Sequence, residues 1–517
     1  MMRSTFLIII FVLGNTLSGV ARHLDDIIAH NGWISSDNAA GISSLTDSLR
    51  LSDVAICYQY GRGGLTDYNG PVRFNEWAAS ASSLYRIDHR TVVYGSVSYA
   101  HRTGYEMAGS AWINPADQPF DLIEYTPDCA GRKVLESYRL TSSIAHTISS
   151  WSIGLKVDYE ADNYAKQRDL RHQNRRMQML ISPGVKWSSD LVSLGLNYQY
   201  IRSTEGLSFN IAGNTDRQYI TLVSYGAFIG MREYSATLYD GYSSVSGGDR
   251  PMVNEWHCIS LQTALHQNRK WEWYNQWNLS SRKGYFGRET SYTIVYEDHD
   301  GYQLAWHSQL GFGQQEQDLW HHLCSFSIKY ATLRAKERLW NEVQQGGGFT
   351  EYVYYDQQQR LNRKQLEVQA DYTLRQEHWT WHSSLLFNMM DQKVSYYPIY
   401  RNQQIVQSQF SLSVERRWRQ WEIGGSLIWQ TGWGDIADDG TYGSADASTT
   451  LAECNHAMHQ AYDYRTAPQG GVRTHFRYTA RHNFYALLEY KWQHTLKGES
   501  FVNPSFNTIG LSIGHEF

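Results

Sequence analysis

The stretch from Val472 to Phe517 constrains this chain more than any other. Val472, Thr474, Phe476, Tyr478 and Ala480 alternate with Arg473, His475 and Arg477. After a polar break at 481–483, Ala486, Leu488, Tyr490 and Trp492 alternate with Leu487, Glu489, Lys491 and Gln493. The chain ends on Ile509, Leu511, Ile513, His515 and Phe517, with Ser512, Gly514 and Glu516 between them. Side chains of a strand point alternately to opposite faces, so each segment is apolar on one side and wet on the other. Segments of about ten such residues joined by tight turns are the signature of a transmembrane β-barrel.

The alternation recurs from Ser52 onward, with no Pro/Ser-rich linker to divide domains. It predicts an all-β fold, a single antiparallel transmembrane barrel. Its strands are expected at about 52–60, 80–87, 91–101, 137–148, 151–160, 174–187, 191–202, 257–266, 271–281, 302–313, 320–330, 365–375, 379–390, 408–417, 421–431, 471–480, 483–493 and 507–517. That makes about 18 strands. Sixteen or fourteen stay open, because the first strand and the pair at 302–330 carry weak patterns. Tight turns are expected at 88–90, 148–150, 188–190, 267–270, 314–318, 376–378, 418–420 and 481–483, and the largest loops at 102–136, 203–256, 331–364 and 432–470. Short turns on one rim and long loops on the other is the asymmetry of bacterial outer-membrane barrels, whose short turns are periplasmic. Trp151, Trp271, Trp320, Trp379 and Trp421 each follow a short turn, the depth at which an amphipathic ring sits in a membrane interface.

Mean hydropathy is −0.52 and no apolar run of 18 residues occurs past the N-terminus, which excludes a helical membrane protein. A barrel escapes that test, because half of each strand faces a wet lumen. Lys+Arg of 46 against Asp+Glu of 51 argues against a nucleic-acid binder. Arg3, the apolar run 6–13 and the small residues up to Ala21 read as a signal peptide over 1–21. Residues 22–51 form a polar N-terminal segment able to fold into the lumen as a plug, and 52–517 form the barrel. Both termini are then expected on the periplasmic side of an outer membrane. Five scattered cysteines make no disulfide framework, and a bridge from Cys129 to Cys454 is not settled by spacing.

The lumen faces are expected to carry Lys156, Asp158, Glu160, Arg176, Lys186, Glu272, Glu367, Asp371, His382, Glu422, Arg473, His475, Arg477, Glu489 and Lys491. Fixed charges of both signs suit a selective aqueous channel. They equally suit a lumen closed by paired charges and a plug. Cys454, His456 and His459, with Glu453 nearby, have metal-ligand chemistry. They lie in Ser448–Tyr464, which reads first as an ordinary loop helix, so no metal and no cofactor are expected. Asp435, Asp438 and Asp439 lack a calcium-loop motif and read as a solvated turn. Tyr352, Tyr354, Tyr355, Tyr396, Tyr397 and Tyr400 read as an outer aromatic girdle before a ligand surface. No motif nominates a nucleophile or a nucleotide site, and an enzyme is not expected.

Ile509, Leu511, Ile513 and Phe517 resemble the C-terminal signal read by the barrel assembly machinery, with His515 where an apolar residue is more usual. The whole chain resembles an uncharacterised outer-membrane barrel family of Bacteroidota, whose members the resemblance places near TonB-dependent receptors. Asn38-Ala39-Ala40-Gly41-Ile42 is similar to the Asn-Pro-Ala-Gly-hydrophobic stretch of the long-chain fatty-acid transporter family, whose N-terminal segment plugs its barrel. Together these readings imply a channel or transporter for a small or hydrophobic nutrient in a Gram-negative outer membrane. The alternative is a non-conducting barrel partnering a TonB-dependent receptor or surface lipoprotein.

Overall fold

Strands rich in Val, Ile, Tyr and Trp on one face and polar on the other can bury neither face alone, and they close into a ring. The computed structural model describes residues 22–45 and 50–517, apart from 127, 214–216, 235–240, 244, 246–249, 268–269, 290–293, 315–319, 346–348, 377, 443–454, 498–499 and 502. The leader reading of 1–21 lies outside the described residues. The ring strands are β1 (Arg50–Gly63), β2 (Arg73–Arg86), β3 (Thr91–Met107), β4 (Gly131–Ile148), β5 (Trp151–Lys166), β6 (Arg171–Ser188), β7 (Val192–Asn210), β8 (Arg250–Gln267) and β9 (Trp271–Gly287). They continue as β10 (Val295–Gln314), β11 (Trp320–Gln345), β12 (Phe349–Gln376), β13 (Trp379–Tyr396), β14 (Ile399–Trp418), β15 (Trp421–Gly434), β16 (Gln469–Thr479), β17 (Phe484–Thr495) and β18 (Ser505–Glu516). Each pairs antiparallel with the next, and β1 closes on β18 from Asp53↔Glu516 to Gly63↔Phe506. This is the closed 18-strand barrel that the alternation predicts, and the strands read as weak are complete.

The outer face is apolar and uncovered: Ile56 is 59% exposed, Leu279 56%, Leu427 62% and Ile513 59%. A continuous band of this kind far exceeds the scattered patches that water tolerates, and it fits a hydrocarbon surround. Tryptophans mark its lower edge, with Trp151 opposite Trp187 and Trp418 opposite Trp421. Tyrosines mark the upper edge, with Tyr99 against Tyr138 and Tyr302 against Tyr330. From Trp151 to Tyr159 is roughly 26 Å along the strand, or about 20 Å of height at a strand tilt of about 40°, which fills most of an apolar band about 25 Å tall. Above the tyrosines the outside becomes ionic, with Arg334 paired to Asp300 and Arg338 to Asp298. At the seam Ile509, Leu511 and Ile513 join the outer band, and Phe517 N–H donates to Ser52 O at 2.8 Å.

Several local expectations are corrected. Residues 331–364 are no loop: β11 and β12 continue as a hairpin, paired from Arg338↔Gln357 to Gln345↔Phe349. This ribbon rises roughly 25 Å past the last pairings of β11 with β10 (Glu297↔Glu337) and of β12 with β13 (Leu361↔Val394). Tyr354 and Tyr355 sit on it, and Tyr396 packs on Arg360 at 4.7 Å, so these tyrosines lie beyond the girdle. Trp320 is buried against Gly311, away from the outer face. Strand ends also reach into the expected loops 102–136 and 203–256. The loop helix covers Asn455–Thr466 and so runs two residues past the expected end, while the expected stretch 448–454 lies outside the described residues.

The depth profile of the band sets an expected outcome. Leu155→Arg, midway between Trp151 and Tyr159, should cost about 2–4 kcal/mol, whereas Ala161→Arg, the outward position above Tyr159 and opposite Tyr138, should cost about 0–1 kcal/mol. Reversible guanidinium unfolding in phospholipid vesicles measures both, and equal costs would contradict the membrane depth assigned here.

Candidate functional site

The inner face is polar along most of its height, and the charges predicted there lie on it. They largely neutralise one another. Arg176 reaches Glu160 at 3.1 Å and Asp162 at 2.9 Å, and Arg139 also reaches Glu160 at 3.0 Å. Lys156 pairs with Asp158 at 3.1 Å, Arg473 with Glu489 at 2.8 Å and Arg477 with Glu516 at 2.6 Å. His382 lies 3.9 Å from Asp371, Glu367 stands opposite Lys329, and Glu272 and Lys491 are half-buried on the same face.

At the short-turn end this face turns apolar, with Leu84, Val92, Ala145 and Leu487 buried on it. The N-terminal segment lies there, inside the ring. In α1 (Arg22–His30), Leu24 and Ile27 fall one helical turn apart and are buried against those wall residues. Asn31 caps α2 (Gly32–Ser35), its Oδ1 accepting from Trp33 N and Ile34 N at 3.1 Å. Asn38 caps a 3₁₀ turn over Ala39–Ser44 and donates from Nδ2 to Val185 O at 2.8 Å and Gln262 Oε1 at 3.1 Å. Asp37 accepts from Gln276 Nε2 at 2.8 Å, and Trp33 packs edge-on to Tyr274 at 5.3 Å with Lys186 over its ring at 4.5 Å. The wall beneath is flattened by glycines. Gly154 and Gly184 stand opposite each other, and a Cβ on either would overlap Ala40 or Asn38.

The long-loop end is filled differently. Pieces of the β3–β4 and β7–β8 loops form a small sheet in the order Gly230–Tyr234, Ile220–Ser224, Asp121–Glu124, Gly109–Ser110. Its apolar side buries Trp112, Phe120, Leu122 and Tyr225 against Phe286 of β9 and Tyr296 of β10, with Phe120 and Phe286 ring centres 5.0 Å apart. Its polar side is anchored by ions: Lys166 pairs with Glu124, and Lys133 Nζ donates to Ser110 O at 2.7 Å. Burial pushes the Asp121, Glu124 and Glu233 carboxyls above the usual carboxylate range, against hydrogen bonds that oppose the shift. Beside the sheet, α3 (Asn455–Thr466) packs along β14 and β15, with Tyr464 O accepting from Gln430 at 3.0 Å.

Between the two fillings lies a chamber of about 160 Å³. Ala116, Asp117 and Gln118 wall it from the loop side, and Ser280, Gln303 and Gln365 from the barrel. Two rungs below Ser280 on the same strand, Asn278 lies near Asp37 of the N-terminal segment, at 3.5 Å. Arg176 and Glu160 reach the chamber already paired. Arg282 donates from Nε and Nη2 to Asn254 Oδ1 at 2.9 and 2.6 Å, over the Trp256 ring at 5.0 Å. Arg363 donates to Ala116 O at 3.0 Å and Gln392 Oε1 at 3.3 Å.

Neither arginine was among the predicted lumen residues. Arg282 lies one residue past the predicted strand end, and Arg363 fell in the predicted loop. Lys329, also on the chamber wall, had the right parity for selection. A second cluster joins Glu415, missed from sequence, to Glu422 and His475: His475 Nε2 lies 3.8 Å from a carboxylate oxygen of each. Gly424 leaves room for that imidazole, and Arg417 pairs with Glu422 at 2.9 Å and Glu415 at 3.5 Å, so the cluster is an ion network. Of the loop residues with metal-ligand chemistry, His456 and His459 are exposed on α3, while Glu453 and Cys454 lie outside the described residues, and with Cys454 the open question of its bridge to Cys129.

A family model described as "Family of unknown function (DUF6850)" matches residues 39–517. No curated protein matches. Among solved structures, the outer membrane transporter YddB from Escherichia coli is similar at 9% identity and TM-score 0.42, over 90% of this chain and 81% of that one. The ferric yersiniabactin uptake receptor FyuA from Yersinia pestis is similar at 10% identity and TM-score 0.37, over 92% and 81%. The FrpB iron transporter from Neisseria meningitidis is similar at 8% identity and TM-score 0.41, over 93% and 83%. These matches show neither the fatty-acid transporter similarity of residues 38–42 nor a Bacteroidota origin.

The glycine seat sets a second expected outcome. Gly184→Val drives methyl groups into Asn38, and overpacking of this kind costs about 1–3 kcal/mol. Added protease should then cut within 22–45 roughly tenfold faster or more, while the strands stay protected. Unchanged cleavage would show that the segment does not rest on that wall.

Proposed function

We propose, for a chain that belongs to the DUF6850 family of unknown function, that it is an outer-membrane barrel passing a small polar solute through a lumen gated by its own residues. The observation that carries this reading is the chamber: a space lined by polar and apolar side chains, walled by residues 116–118 of the loop side and lying above the wall position, Asn278, that meets the N-terminal segment. A space closed at two levels, with a flat seat under one closure, has the layout of a conduit with a movable stop. Amides, hydroxyls and guanidinium groups stand on its wall beside Ile201, Trp256 and Leu333, and those polar groups are placed to orient a cargo that carries hydrogen-bonding atoms. In the orientation usual for such barrels, the short turns, both ends of the ring and the N-terminal segment are periplasmic. The role is passage without catalysis. A permanently open pore is the weaker form of the reading, since it would leave both fillings without a purpose.

A second reading rests on a separate observation. The β11–β12 ribbon stands clear of the ring and exposes Val343, Val353 and Tyr355, with Val343 40% and Tyr355 55% exposed. Unpaired strand edges and exposed apolar side chains favour a protein neighbour. A TonB-dependent receptor or surface lipoprotein resting on this barrel is the partner we would seek. A mild-detergent pull-down with the ribbon shortened at residues 338–357 tests it, and retention of the same companion would remove the ribbon from the contact.

Liposome swelling with a small polar solute tests passage. The parent chain should give slow flux, and both Gly184→Val and removal of residues 22–45 should speed it severalfold. No flux from any of the three would overturn the transport reading.

A further inference from the structure

The chamber's arginines are held in an unusual way. Arg363 is only 9% exposed, and Arg282 is half-buried between the Trp256 ring and Asn254. Elsewhere in the lumen, buried guanidinium groups such as those of Arg176 and Arg477 meet carboxylates within 3.1 Å. Arg282 and Arg363 donate only to amide and carbonyl oxygens, and neither makes an ion pair among the described residues. Lys329 lies on the same wall, opposite Glu367. Two acids line the chamber, Asp117 exposed at its edge and Glu160 already paired with Arg176, and buried Glu297 lies within electrostatic reach of Arg282 without forming an ion pair with it among the described residues.

Withdrawing a cation from water without a counter-charge is costly, and a well-placed anion recovers that cost. A guanidinium fork matches the two oxygens of a carboxylate or phosphate. The volume sets the size: an apolar cavity of about 150 Å³ admits benzene, so this one takes a ligand of similar bulk.

We propose that the chamber is a binding site for a small oxyanion, a short dicarboxylate or inorganic phosphate, held between the guanidinium groups of Arg282 and Arg363 with Lys329 contributing charge. Gln303, Gln365 and Ser280 complete the wall with neutral hydrogen-bonding groups. The inference names the cargo class for the transport reading, and rests on it for the role of the bound anion but not for binding itself.

The test is calorimetric titration of the detergent-purified full chain with succinate and, separately, with phosphate. Neutral succinamide serves as the uncharged control. Binding of at least one anion, weakened roughly tenfold or more by Arg282→Gln or Arg363→Gln, supports the site. Arg202→Gln, on the outer face, should leave affinity unchanged. Heat-modifiable migration on gels confirms that each variant keeps its barrel. The proposal is overturned if neither anion binds, if the Arg282→Gln/Arg363→Gln double variant binds as the parent does, or if succinamide binds equally. Binding without flux in liposomes would sink passage and keep the site; flux without anion binding would sink the site alone.

Discussion

Everything here depends on one requirement: backbone N–H and C=O groups facing hydrocarbon must find partners within the protein. An open sheet fails it along two edges. The ring meets it at the β1–β18 seam, where the first and last strands pair from Asp53↔Glu516 to Gly63↔Phe506. Once that seam exists, the faces are no longer free to vary. Every outward side chain must suit lipid and every inward one must suit whatever fills the ring.

An 18-strand ring encloses more space than its own side chains can occupy, and the interior is handled in three ways by height. At the short-turn end the wall is greasy and flat, and a helical segment docks on it through Leu24, Ile27, Trp33 and Asn38. At the long-loop end an aromatic cluster around Phe120 and Phe286 takes the space. In between, water-seeking groups face a void, and there two of the guanidinium groups, those of Arg282 and Arg363, make no ion pair among the described residues. Ion pairs such as Arg473–Glu489 offset the desolvation of the remaining wall without leaving a strong net field.

The ring was almost fully legible in the sequence, because period-2 alternation is enforced by the membrane at every rung. All eighteen strands stand near their expected positions. What escaped lies where that enforcement ends. Past the apolar band the outward positions become ionic, as at Asp298, Asp300 and Arg334, so alternation fades while pairing continues. Strands were therefore drawn too short at this rim, one ending before Arg282 and one starting after Arg363, and both arginines were left without a face. Leu487 shows the opposite case. It sits among lumen positions beside Glu489 and Lys491, yet it is fully buried. A greasy residue on the wet side signals contact with another part of the chain, and that signal was in plain view. The inner sheet was not readable, because its four short strands pair across loops far apart in sequence and owe their burial to Phe286 and Tyr296 on the wall.

The seam has a temporal meaning as well. Residues 22–45 precede the first strand and end up enclosed, while the strand that completes the wall is the last of the eighteen in chain order. The enclosed segment and the folded loops must be in place before, or enter through an end after, the first and last ring strands zip together. Vectorial synthesis thus presents the contents of the vessel ahead of its final stave, and the order of manufacture matches the order of containment.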